Sequence, residues 1–122
     1  MPWEIEILEK EKVIHLRACG SMDIKLIKQM CSEAMGKTRE HGFSKYLVDF
    51  REMLPELTTM TIHRLPHTLE AMGDTRESKT AMVISPDSKR KDNFLFFETV
   101  SDNRGFTVQL FEEMEAARRW LE

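Results

Sequence analysis

The chain has 122 residues, of which 32% are charged and 41% hydrophobic, and it carries a net charge of −3. These values suit one globular domain over 1–122, large enough to bury about two-thirds of its unfolded surface without a disulfide staple. The acidic balance excludes a general nucleic-acid or anionic-membrane footprint, and no apolar run approaches the roughly 18 residues that a membrane span needs.

Trp3, Ile5 and Ile7 alternate with Glu4 and Glu6, which predicts a half-buried strand with one wet face. The acidic, alternating start does not read as a leader peptide. A charged turn, Glu9-Lys10-Glu11-Lys12, leads to a second strand of the same kind, in which Ile14, Leu16 and Ala18 alternate with Val13, His15 and Arg17. The short connection predicts an antiparallel hairpin. His15 reads as a surface residue on the polar face of that strand. Gly20-Ser21-Met22-Asp23 then breaks the strand and offers Ser21 or Asp23 as a helix N-cap.

Leu26/Ile27, Met30/Cys31 and Ala34/Met35 recur every four residues, so an amphipathic helix follows, ending near His41-Gly42 with Gly42 as its left-handed stop. Lys45 to Phe50 is a short, nearly continuous apolar strand ending at Asp49-Phe50, and Ala81 to Ile84 is another. Such runs are the habit of inner parallel strands buried on both faces. Between them Ile62, Leu65, Leu69 and Met72 mark a second helix starting near Thr58/Thr59 and stopping at Gly73. Pro66 inside it predicts a kink or a late start.

A polar loop from Asp87 to Asp92 leads into a helix rich in phenylalanine. Phe94, Phe97 and Ser101 share one stripe, and Phe96 and Val100 widen it. Gly105 supplies the stop, and Phe106 folds back towards Val100. Thr107 to Phe111 is the last strand. A final helix begins with Glu112, Glu113 and Glu115 and ends with Arg118 and Arg119, an order that complements the helix dipole. Met114, Ala117 and Leu121 are its buried stripe, with Trp120 beside it.

The predicted order is β-β-α-β-α-β-α-β-α. It is an α/β fold with a mostly parallel five-stranded sheet, an antiparallel edge hairpin and four packed helices.

Few residues suggest chemistry. Cys19, at a strand end, and Cys31, on a helical apolar face, lack metal-type spacing and read as reduced thiols, which places the chain in the cytoplasm. His63, His67 and Glu70 fall within a narrow arc of the second helix, but opposite its apolar side, so they read as a solvated face and no metal site is assigned. Lys89-Arg90-Lys91 reads as a solvated loop. Asp49 ends an inner strand, where open α/β sheets place functional groups. It reads equally as a partner for Arg51 or Arg104. No cofactor is expected, because the chain has no glycine-rich phosphate loop, Walker lysine or nucleophile elbow. Nine methionines are many for this length and suit an adaptable apolar cleft or partner groove.

This element order, together with two motifs, resembles the SpoIIAA-like family of small bacterial and archaeal proteins, related in fold to STAS domains and to CRAL-TRIO lipid-binding domains. The first motif is Tyr46-Leu47-Val48-Asp49-Phe50. The second, more specific, is Phe96-Phe97-Glu98-Thr99-Val100 through Asn103-Arg104-Gly105-Phe106, followed by Val108, Phe111 and the closing Ala117, Trp120 and Leu121. The resemblance implies a right-handed β/α sheet with packed helices. It also implies a phospho-acceptor near Thr58 or Thr59, although the aspartate and glycine that flank such an acceptor in STAS antagonists are absent here. Both threonines read first as helix caps. Asp49, Asn103 and Arg104 are the candidate ligand or partner contacts.

Three functions follow as expectations. The first is a non-enzymatic regulatory module that docks a protein partner or a second copy of itself. The second is a carrier of a small apolar or lipid-like ligand, held between the second and the phenylalanine-rich helices. The third is an enzyme using Asp49 with Thr58/Thr59 or a histidine.

Overall fold

The computed structural model describes residues 2–73 and 77–122. The strands are β1 (Trp3–Leu8), β2 (Val13–Met22), β3 (Lys45–Pro55), β4 (Lys79–Val83) and β5 (Thr107–Phe111). The helices are α1 (Ile24–His41), α2 (Thr59–Ala71), α3 (Lys91–Asn103) and α4 (Met114–Leu121). The strands form one sheet in sequence order, β1-β2-β3-β4-β5. β1 runs antiparallel to β2, and every later pair is parallel. The element order along the chain and the strand orientations are those expected from the hydrophobic pattern.

Each inner strand carries two apolar faces because each feeds two cores. Ile14, Leu16, Tyr46, Val48 and Met82 face a large cluster completed by Ile27, Met30 and Met35 of α1, Leu69 of α2, and Phe94 and Phe97 of α3. Val13, Leu47, Ala81 and Val83 face a smaller cluster closed by Ala117 and Leu121 of α4. The period of two along a strand thus sorts the helices, three onto one face and α4 onto the other. The right-handed crossover rule gives the same arrangement, since each parallel strand is added beside the last.

Helix ends follow local chemistry. Asp23, not Ser21, caps α1: its Oδ1 accepts the Leu26 N–H at 2.9 Å. Gly42 stops α1 at φ 70°, and Phe43 N–H reaches back to the Thr38 carbonyl at 3.1 Å. At the end of α3, Gly105 has φ 83°. There Phe106 N–H bonds the Ser101 carbonyl at 2.9 Å and Gly105 N–H bonds that of Asp102 at 3.0 Å. Both bonds of a Schellman stop are present, as the Asn-Arg-Gly-Phe run predicts. Pro66 lies inside α2 and is buried, and α2 starts at Thr59, so the late-start alternative does not occur.

Three expectations need correction. β2 does not break at Gly20 but continues to Met22, and β3 runs beyond Phe50 to Pro55. The extensions pair with each other after β4 has ended, from Cys19↔Glu52 to Met22↔Pro55. With β4 gone, this part of β3 loses its two-sided burial, so its sequence no longer reads as an inner strand. His15 is not a surface residue: its side chain is 17% exposed, and its Nδ1 lies 3.4 Å from Glu6 Oε1 of the partner strand.

Candidate functional site

Between Arg17↔Asp49 and Cys19↔Glu52, β2 advances two residues while β3 advances three. β3 therefore carries a bulge of one residue at Phe50-Arg51. Asp49 sits mid-strand at this bulge and not at the strand end that its sequence suggests. Its carboxylate holds Arg51 by two parallel bonds, Nε to Oδ1 at 2.9 Å and a terminal guanidinium nitrogen to Oδ2 at 2.7 Å. Oδ1 also accepts the Arg51 backbone N–H at 3.2 Å, which satisfies an amide at the bulge. Burial is the largest single influence on Asp49 and works against its ionisation. The bonds to the Arg51 guanidinium and amide, with the charges of Arg51 and Arg17, outweigh it and hold the pKa below the usual 3.8. Asp49 shares its side of β3 with Leu47, so it belongs to the α4 face of the sheet.

Thr58 and Thr59 lie on the opposite side, at the start of α2. Thr58 is the N-cap: its Oγ1 accepts the Thr61 N–H at 3.1 Å and lies 2.8 Å from Thr61 Oγ1. Thr59 begins the helix, and both threonines are exposed. The amides of Thr59 and Met60 have no carbonyl four residues back inside the helix, and the helix dipole leaves partial positive charge there. The preceding loop is braced from the other side by Arg90, whose guanidinium bonds both carboxylate oxygens of Glu56 at 3.3 and 3.2 Å. Met60, 60% exposed, stands beside the threonines in the first turn. Parallel strands deliver these loops to the carboxyl edge of the sheet, the edge at which α/β folds usually bind.

The remaining candidates are elsewhere. Asn103 and Arg104 are exposed at the far end of α3, which runs back to the amino edge of the sheet. The structure therefore spreads Asp49, Thr58/Thr59 and Asn103/Arg104 over three places. His63 and His67 face solvent, and the His63 ring stacks on Phe96 with centroids 6.4 Å apart. Among the described residues no group of three or more His, Cys, Asp or Glu gathers to hold a metal ion. Arg90 pairs with Glu56, and Lys91 with Glu112 at 3.3 Å, so acids break up the basic run. Cys19 and Cys31 form no disulfide with each other, Cys19 being exposed and Cys31 half-buried.

Two further features bear on function. A cavity of about 130 Å³ lies between the sheet and the layer of α1, α2 and α3, walled largely by Met, Phe and aliphatic side chains. Glu98, halfway along α3, accepts the Leu110 backbone N–H of β5 at 2.8 Å. No spacing pattern predicts a bond from a helix carboxylate to a strand amide twelve residues on.

No protein-family model matches the sequence, and no curated protein matches it. Solved structures do. The phosphorylated form of SpoIIAA, a Bacillus cell fate determinant, is 12% identical over 97% of this chain and 98% of its own, with a TM-score of 0.56. The unphosphorylated form of the anti-sigma factor antagonist SpoIIAA is 16% identical over 97% of this chain and 95% of its own, with a TM-score of 0.57. At these identities the likeness is one of fold. The chain has a SpoIIAA/STAS-like fold, the fold its two motifs imply. Among the described residues no helix is long and apolar enough to cross a membrane.

Proposed function

We propose that this protein is a non-enzymatic regulator that docks a protein partner at the carboxyl edge of its sheet, and that phosphorylation of Thr58 or Thr59 controls the docking. The reading is carried by the exposed threonine pair at the N-terminus of α2, in a fold shared end to end with an anti-sigma factor antagonist that exists in phosphorylated and unphosphorylated forms. A phosphate there meets free first-turn amides and the positive end of the helix dipole. It would place about two negative charges beside Met60, the exposed apolar side chain best placed to enter a partner. The Glu56–Arg90 pair is the local element such a charge can rearrange, because Arg90 can exchange a carboxylate for a phosphate.

The test uses protein recovered from its own cells. Phosphopeptide mapping is expected to find phosphate on Thr58 or Thr59. A photo-crosslinking residue at position 60 is expected to capture one protein, and Thr58→Asn with Thr59→Ala to abolish the phosphate and change the capture yield at least fivefold. Asn retains the cap, so a folding defect does not mimic the result. Phosphate found only elsewhere, or a yield indifferent to the double substitution, sinks the proposal.

A further inference from the structure

The cavity beneath the helices is walled by Met30, Met35, Met82, Phe94 and Phe97, and among the described residues none that lines it is charged. At about 130 Å³ it is several times the roughly 30 Å³ share of one water, and close to the ~150 Å³ at which an apolar protein cavity takes up benzene. One polar atom in its wall is out of place. The Ser101 hydroxyl belongs to a residue only 1% exposed and has no hydrogen-bond partner. Leaving a buried hydroxyl unpaired is costly, so native proteins seldom do it. Ser78, Thr80 and Thr107 also line the cavity. All three sit at the amino ends of β4 and β5, the end to which α3 carries Ser101. Apart from Asn93 near the other end of α3, the cavity therefore has an apolar body and a polar foot.

We propose that this cavity is a binding site for a small neutral molecule made of one apolar ring, or a branched chain of equal bulk, bearing a single hydroxyl that pairs with Ser101. None of the described lining residues carries a charge to pair with a carboxylate or an amine, which would be stripped of water there, so a neutral ligand fits best. At about 130 Å³ the cavity is too small to enclose a long acyl chain. A lone water at Ser101 leaves most of the space empty, whereas a phenol-sized ligand fills it and satisfies the hydroxyl at once. This site is separate from the exposed threonines, so it stands or falls independently of the docking proposal.

Methionine methyl groups provide the probe. Full-length protein with 13C-labelled methionine methyls is titrated with phenol and, separately, with toluene, which matches its bulk but lacks the hydroxyl. Phenol is expected to shift the Met30, Met35 and Met82 signals saturably while leaving exposed Met60 in place. Ser101→Ala is expected to weaken phenol about three- to tenfold, the net worth of one hydrogen bond, and to leave toluene unchanged. Wild-type protein that shows no saturable shift with phenol overturns the site outright, whatever the variant does. Phenol binding indifferent to Ser101→Ala, or an equal loss for both ligands, overturns the assigned anchor.

Discussion

Asp49 shows how a residue with a suggestive address can be explained by its own strand. The two-bond grip on Arg51 and the bond to the Arg51 amide hold the carboxylate ionised, so its folded pKa lies below the unfolded value of about 3.8. A depressed carboxylate stabilises the fold fully above the unfolded pKa, and that contribution fades as pH falls through the folded pKa. Asp49→Asn is therefore expected to cost about 1–2 kcal/mol at pH 7, the scale of a charge-assisted hydrogen bond to a half-exposed arginine. The gap between variant and wild type should shrink in urea titrations as pH is lowered from about 4 towards 2. A gap that stays constant over that range would show that Asp49 acts by shape and not by charge. The sequence allowed a partner for Arg51 or Arg104, or a functional acid. It could not separate them, because the bulge that turns the Arg51 amide towards the carboxylate exists only once β2 and β3 are paired.

The elements were largely readable because each is bounded by chemistry local to it. Gly42 and Gly105 sit just past apolar helical runs and take the left-handed conformation that stops them. Asp23 and Thr58 precede such runs, and their side-chain oxygens accept first-turn N–H groups as caps. The extension of β3 to Pro55 was not readable, because the strand it pairs with there is the extension of β2, 33 residues away in the chain. α2 offers a direct test of the cap. Thr58→Ala is expected to lower stability by about 1 kcal/mol, while Thr58→Asn changes it by a few tenths at most. Thr59→Ala, at an exposed helical position without a capping bond, should stay within about 0.5 kcal/mol. Chemical denaturation of the three variants at one pH checks the series, and equal losses at 58 and 59 would contradict the assigned cap.

At the scale of the whole molecule, the two faces of the sheet are held differently. Three helices and their aromatic and methionine side chains cover one face, while α4 alone closes the other. The short helix is pinned by Lys79, whose Nζ donates to the Trp120 carbonyl at 2.8 Å and lies 4.3 Å from the centre of the Trp120 ring. A cation at the C-terminal end of a helix meets both the last carbonyls and the negative end of the dipole. The pattern of the sequence revealed this architecture because apolar residues on both sides of β3 and β4 require cover on both sides. The methionines and the phenylalanine-rich helix suggested an apolar cleft, but its volume was not legible, since space left over between packed side chains has no signature along the chain.

The bond from the Leu110 amide to Glu98 occupies one position on the outer edge of the sheet. β5 is the last strand of the sheet, and an outermost strand presents a ladder of amides onto which a foreign chain can zip. Here one rung is already taken, and the acid that takes it repels the carbonyls of any newcomer. Glu98→Ala should reopen that rung. In concentrated solution held for days, light scattering is then expected to report slow growth of larger species from the variant, while the parent chain stays at its starting size. The carboxylate in mid-helix would thus be a guard against polymerisation, standing where a search for catalysis would pass it by.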